Sequence, residues 1–224
     1  MKVDDSVIKF GGWCAILVGV FSALAGITYF LLPEAQQLPT PGSQILPSFA
    51  QYPTRLNLEN LFLGLVGIFG LGLVPALLRR MRQANEGWLL WTSTLATVGY
   101  AVSAVGSFVV LGRLPIIANA YVSGDASTQA ALAAVWRTSL DPLAIWGYGA
   151  IGLWILVISL AALRSDNTLP RPLAYLGILA ALLHWLGPVG FVVRAPFLFF
   201  ILAGGGGIII SAWYVWVGLQ LRRM

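Results

Sequence analysis

One histidine, one cysteine and eight carboxylates are the whole stock from which this chain of 224 residues could build proton, metal or nucleophilic chemistry. His184 stands beside Trp185 in the middle of an apolar run. An imidazole there could ligate the metal of a haem or chlorophyll, or relay a proton, although a lone histidine more often serves as a hydrogen-bond partner between helices. Glu59 lies between Asn57 and Asn60, where its carboxylate could pair with Arg55 or accept bonds from those amides. Asp141 opens another apolar run, a place where a carboxylate complements the positive end of a helix. Arg194 falls on the same side, so that Glu59, Asp141 and Arg194 could converge on an outward-facing polar pocket. The candidate ligand-binding residues are thus Glu59, Asn60, Asp141, His184 and Arg194. They include no catalytic set and no metal-ligand set, and a porphyrin-type ligand at His184 is the one cofactor they bring to mind.

The parts of the common catalytic machines are missing. There is no G-x-S-x-G elbow, no P-loop, no H-E-x-x-H and no cysteine pair, which removes the signatures of acyl transfer, nucleotide hydrolysis, zinc proteolysis and thiol exchange. Cys14 is alone and inside an apolar run, so it reads as a small packing residue. No lysine occurs in the apolar runs, so a retinal Schiff base has no anchor. This inventory leans away from an enzyme.

What must position those residues follows from composition. Hydrophobic residues make up 58% of the chain, charged ones 9%, and mean hydropathy is +0.85, whereas a soluble domain is roughly 25% charged and about half apolar. Most of the surface must face lipid. The net charge of +5 does not imply a nucleic-acid partner, because the basic residues gather at the ends of apolar runs instead of on one face.

Apolar runs long enough to cross a bilayer as helices, about 20 residues each, occupy about 10–32, 58–78, 88–111, 142–163, 173–193 and 197–219. The first is too long for a secretory signal. The stretch 33–57 holds Pro33, Pro39, Pro41, Pro47 and Pro53 and reads as an outer loop with at most one short helical piece. A second outer loop covers 112–141, with a surface helix capped by Ser123 or Asp125 and carried by Ala130 to Val135. Between Leu173 and Leu221 the apolar stretch is too long for one crossing. Gly187, Pro188 and Gly190 begin its break, and Arg194, Ala195 and Pro196 complete the turn. The expectation is an all-α integral membrane bundle of about six transmembrane helices, treated as a single domain.

Charge then orients it. With the amino terminus inside, Lys2, Lys9, Arg79, Arg80, Arg82, Arg164, Arg171, Arg222 and Arg223 are cytoplasmic, and only Arg55, Arg113, Arg137 and Arg194 are outside. That bias places both termini in the cytoplasm and the protein in the cell membrane. Glycines recur at close spacing in the second span (Gly64, Gly67, Gly70, Gly72), the third (Gly99, Gly106) and the fourth (Gly147, Gly149, Gly152), as packing seams require. The run Gly204 to Gly207 weakens the sixth helix at mid-span and marks a bend, a hinge or a close contact. Trp13, Trp88, Trp136, Trp213, Trp216 and Tyr214 fit interfacial belts, while Trp146, Tyr148 and Trp154 could line a cavity.

The segment from Trp146 to Leu186 resembles the fourth and fifth helices of a bacterial family of six-helix membrane proteins known only as a domain of unknown function. There a G-L-W-L run, a small-residue helix end and an L-P-R-x-L-x-x-L-G-I turn follow one another, much as Gly152 to Trp154 and Leu169 to Ile178 do here. The resemblance implies a similar bundle and leaves the activity open. The functional expectation is a non-enzymatic multi-pass protein that serves as an accessory subunit or binds a lipid or other apolar molecule. The alternative is a small transporter or channel. Its partners would be the lipid bilayer and protein subunits or further copies of itself, with no nucleic acid.

Overall fold

The computed structural model describes residues 5–37, 40–81, 86–136, 141–164 and 169–223. Lys2, Pro39, Arg82 and Arg137, which entered the reading above, lie outside the described residues. Six helical stretches are long and apolar enough to cross a membrane, which makes this a multi-pass membrane protein. They are α1 (Asp5–Phe30), α3 (Pro53–Arg80), α4 (Glu86–Ser123), α6 (Ile151–Arg164, preceded by a π-helical turn Ile145–Ala150), the pair α7 (Arg171–His184) and α8 (Leu186–Val193), and the pair α9 (Pro196–Ile201) and α10 (Gly207–Arg222), joined by a second π-helical turn, Leu202–Gly206. Two short helices lie between spans, α2 (Gly42–Gln51) and α5 (Ala126–Val135).

The connections expected as loops are more helical than the sequence reading allowed. A single 3-10 turn, Glu34–Gln36, precedes α2, which contains Pro47, and α3 begins at Pro53 instead of near Leu58. Proline suits the first turn of α3, where its missing amide has no partner to lose. The third span does not end at Arg113. It runs on to Ser123 as one helix of 38 residues, because Pro115 forfeits one hydrogen bond while the surrounding residues keep theirs. At about 1.5 Å per residue such a rod is about 57 Å long, against a hydrocarbon core of about 30 Å, so its far end stands clear of the bilayer.

The six spans close into a ring in which α1 touches α3 and α10, α3 touches α4, α4 touches α6, α6 touches α7, and α7 returns to α10. Both ends of the chain meet on one face, where the Arg222 guanidinium lies 3.7 Å over the Trp13 ring. The glycine seams are spent within the ring. A Cβ on Gly67 would fall 2.6 Å from the Ala104 amide nitrogen, and one on Gly72 2.6 Å from the Cys14 sulfur, so α3 approaches α4 and α1 at backbone distance. Gly106 differs, with no neighbour within 4 Å.

Two apolar cores result. The larger fills the ring with Leu73, Leu77, Tyr100, Trp154, Ile155, Trp213 and Val217, all fully buried. The smaller, around Ile45, Leu46, Phe49, Leu114, Ala118 and Phe199, joins α2 and the carboxyl-terminal end of α4 into a cap on the face away from the termini. Trp136 packs there too. Asp125 caps α5, its carboxylate accepting from the Thr128 amide at 2.9 Å and from the Ser127 hydroxyl at 3.0 Å. Those bonds hold the Asp125 carboxyl below its ordinary range.

Candidate intramembrane ligand site

Three departures from regular α-helix gather around His184. The first is its own helix. Pro188 has no amide hydrogen to offer the His184 carbonyl four residues back, and its ring crowds that oxygen, so α7 stops at His184 and α8 restarts at Leu186. The second is the π-helical turn Ile145–Ala150, and the third is Leu202–Gly206. Gly187 ties them together: a Cβ there would stand 3.4 Å from Tyr148 in the first turn and 3.5 Å from Leu202 in the second. Irregular backbone at membrane depth persists only where protein or a cavity satisfies it, and π-turns cluster at functional sites.

His184 is buried, and its Nδ1 lies 2.8 Å from the Ala180 carbonyl. A carbonyl only accepts, so Nδ1 carries the proton and the neutral ring presents Nε2 as a bare acceptor. Nε2 has no partner among the described residues. The imidazole lies between two tyrosine rings, with centroids 6.1 Å away for Tyr148 and 6.5 Å for Tyr214. Room for it comes from Gly152, where a Cβ would press to 2.9 Å from that of His184.

Tyr148 is positioned by Asp141. One carboxylate oxygen accepts from the Ile145 amide at 2.9 Å and the other from the Gly147 amide at 2.7 Å, while Ala144 takes a left-handed conformation (φ 55°) to turn the chain into the helix. The carboxylate thus starts the fourth span, as its place in the sequence led one to expect, with the helix opening at Ile145 and not at Pro142.

Glu59 is partly buried and has no hydrogen bond or ion pair among the described residues. The partners foreseen for it are engaged elsewhere or apart. Arg55 donates to the Leu31 carbonyl, and the Asn60 amide donates to the Leu56 carbonyl at 2.8 Å. Arg194 is exposed, in a left-handed conformation (φ 54°) at the turn between α8 and α9, where its backbone amide donates to the Gly190 carbonyl while its guanidinium bonds to no described residue. The structure therefore brings Tyr148 and Tyr214 to His184, gives Asp141 a supporting place behind Tyr148, and joins Glu59, Asn60 and Arg194 to that group by no contact among the described residues.

One residue of the group was not singled out for it by sequence. Tyr214, assigned above to an interfacial belt, is 1% exposed, and so is its neighbour Trp213 buried, at 0%. The belt reading fails for both because α10 turns this face into the ring. Tyr214 shares a 2.6 Å hydrogen bond with Tyr100 of α4. Trp154 stacks edge-on against Tyr100 at 6.1 Å and donates to the Ser93 hydroxyl at 3.2 Å, which fills space that the sequence reading gave to a cavity wall. Tyrosine serves belts and interiors alike, so only the partner on another helix distinguishes them. Trp13, Trp88 and Trp91 do lie at the lipid-facing surface.

Chemically, the site offers a bare imidazole nitrogen and phenolic hydroxyls inside aromatic walls. No group of three or more histidine, cysteine, aspartate or glutamate residues that could hold a metal occurs among the described residues. Comparison with curated proteins and with solved structures found no match. A family model does match, over residues 12–219, nearly the whole ring and its cap. The chain belongs to the family described as Domain of unknown function (DUF4386).

Proposed function

We propose that this protein is a non-enzymatic membrane protein that binds a small amphiphilic molecule within the helical ring, at the site formed by Tyr148, His184 and Tyr214. The observation that carries this reading is the unclaimed Nε2 of a buried histidine, set where three helical irregularities meet. The apolar lining suits the body of a lipid-like molecule. We place the protein in the cell membrane with both termini cytoplasmic, on the strength of the arginine-rich ends of α3, α6 and α10.

Purification in mild detergent followed by native mass spectrometry tests the binding reading. The expected result is a retained molecule that is lost in His184→Gln and Tyr148→Phe variants of unchanged helical content. A homogeneous protein that retains nothing and gains no thermal stability from any added lipid or amphiphile would overturn it. A retained polypeptide would point instead to an accessory subunit. Interrupted spans also belong to transporters, and this favours a second reading in which the same molecule is carried across. Reconstituted vesicles that take up the retained molecule, with uptake abolished by His184→Gln, would establish that reading.

A further inference from the structure

We propose that the groove between α1 and α10 binds an anionic phospholipid from the leaflet on the face that carries both termini, with its phosphate held by Arg222, Arg223 and Lys9. This site is separate from the one around His184 and does not depend on the binding reading above.

The head end is set by charge. Arg222 packs against Gly12, and its guanidinium lies 3.7 Å over the Trp13 ring. That contact uses the face of the ion, and its N–H donors have no partner among the described residues. The stack holds a long side chain in place, so less freedom is lost when the guanidinium takes a phosphate, which its fork of donors matches. Lys9 stands one turn before Trp13 on the same face of α1. Lys9 and Arg223 are exposed, and neither forms an ion pair with a described residue. Tryptophan favours headgroup height, which sets these cations level with lipid phosphates, and basic groups there favour anionic lipids.

Below the cations runs a lane for an acyl chain. A Cβ on Gly12, Gly19 or Gly26 would fall 2.9, 2.7 or 2.9 Å from the carbonyl oxygens of Gly218, Ser211 and Ala203, so α1 and α10 run antiparallel with their backbones in contact. The residue after each contact lies about 100° further round its helix, and in antiparallel partners that is the same side. Trp13, Val20 and Ile27 follow the three glycines, and Leu219 and Ile208 follow Gly218 and Gly207 on α10. All five are exposed. Arg223 follows Arg222 onto that side in the same way. The 14 positions from Trp13 to Ile27 make about 21 Å of helix, more than the roughly 15 Å of one leaflet's hydrocarbon.

The test uses the full-length protein in a neutral detergent, titrated with dioleoyl phosphatidylglycerol, dioleoyl phosphatidylcholine or glycerol 3-phosphate and read by native mass spectrometry and thermal unfolding. Phosphatidylglycerol is expected to bind at least about tenfold more tightly than phosphatidylcholine, and glycerol 3-phosphate is expected not to stabilise the protein. The double variant Lys9→Gln, Arg222→Gln is expected to weaken phosphatidylglycerol binding by about tenfold or more. Arg164→Gln, which removes an exposed cation at the end of α6, is expected to change it by less than about twofold. Equal affinity for the two lipids would overturn the inference, as would an equal loss from Arg164→Gln, which would mean diffuse surface charge. Stabilisation by glycerol 3-phosphate equal to that by the lipid would make the ligand a free phosphate and overturn the lipid. Should the double variant fail to fold, Lys9→Gln with Arg223→Gln alters only exposed side chains and carries the same comparison.

Discussion

Tyr100 and Tyr214 join their phenolic oxygens at 2.6 Å across 114 residues of sequence, linking α4 to α10 on opposite sides of the ring. Neighbouring spans touch along their lengths. This pair instead crosses the middle, and the Tyr214 ring is also a wall of the His184 site. Replacing either tyrosine by phenylalanine removes the bond and strands the other hydroxyl in the core. Each single variant is expected to lower stability by about 1–2 kcal/mol, and the double variant by less than the sum, with a coupling of about 0.6–1.7 kcal/mol. Reversible unfolding in mixed micelles measures all three.

Glycine positions separate close approach from open space. Gly67→Ala would drive a methyl to 2.6 Å from the Ala104 backbone nitrogen and 2.7 Å from the Tyr100 carbonyl, neither of which can step aside. A loss of about 1–3 kcal/mol is expected. Gly205 has no neighbour within 4 Å, so Gly205→Ala is expected to leave stability unchanged or raise it by up to about 1 kcal/mol through helix propensity. Thermal unfolding of the pair in one detergent checks the contrast.

Asp141→Ala removes the acceptor shared by the Ile145 and Gly147 amides and is expected to cost about 0.5–2 kcal/mol. The larger effect should be on the site, because the π-turn that aims Tyr148 loses its anchor. Asp141→Asn keeps one acceptor oxygen and should fall between the two. Trp146 fluorescence reports the turn, and retention of the bound molecule reports the site.

Six spans could be read directly from the chain because hydrocarbon selects apolar runs by length, and no neighbouring residue is needed to see them. Helix ends were harder. Arg113 and Pro115 look like terminators, yet α4 passes through both, since an arginine beyond the bilayer is solvated and one missing amide bond does not stop a helix that packs on α2. The fifth and sixth spans part at Arg194 and Ala195, within the turn read from the sequence, but Gly187, Pro188 and Gly190, read as the start of that break, lie within α8, and Pro188 acts one turn back, on His184. His184 and Tyr148 were visible as unusual residues in apolar surroundings. Their association with each other and with Tyr214 depends on which faces of three spans meet, and that is settled by packing, which no single run of sequence records.

Asp125 gives a pH test outside the membrane. Its carboxyl is held below the ordinary aspartate value of about 3.9 by the Thr128 and Ser127 bonds. A depressed folded value means the cap contributes fully above that pH and is lost as pH falls through the lower, folded value. Amide exchange at Ser127, Thr128 and Gln129 is expected to accelerate, beyond its intrinsic pH trend, only at strongly acidic pH. Asp125→Ala should show that faster exchange at neutral pH.

Because one unbroken rod carries both Tyr100, deep in the bundle, and Leu114, in the cap core, the two cannot move independently. They are 14 positions apart on α4, or about 21 Å along its axis, so a lean of about 10° pivoting at Tyr100 would sweep Leu114 sideways by about 4 Å. The protein is built like a mast through a deck: whatever shifts its foot is felt, enlarged, by the rigging above.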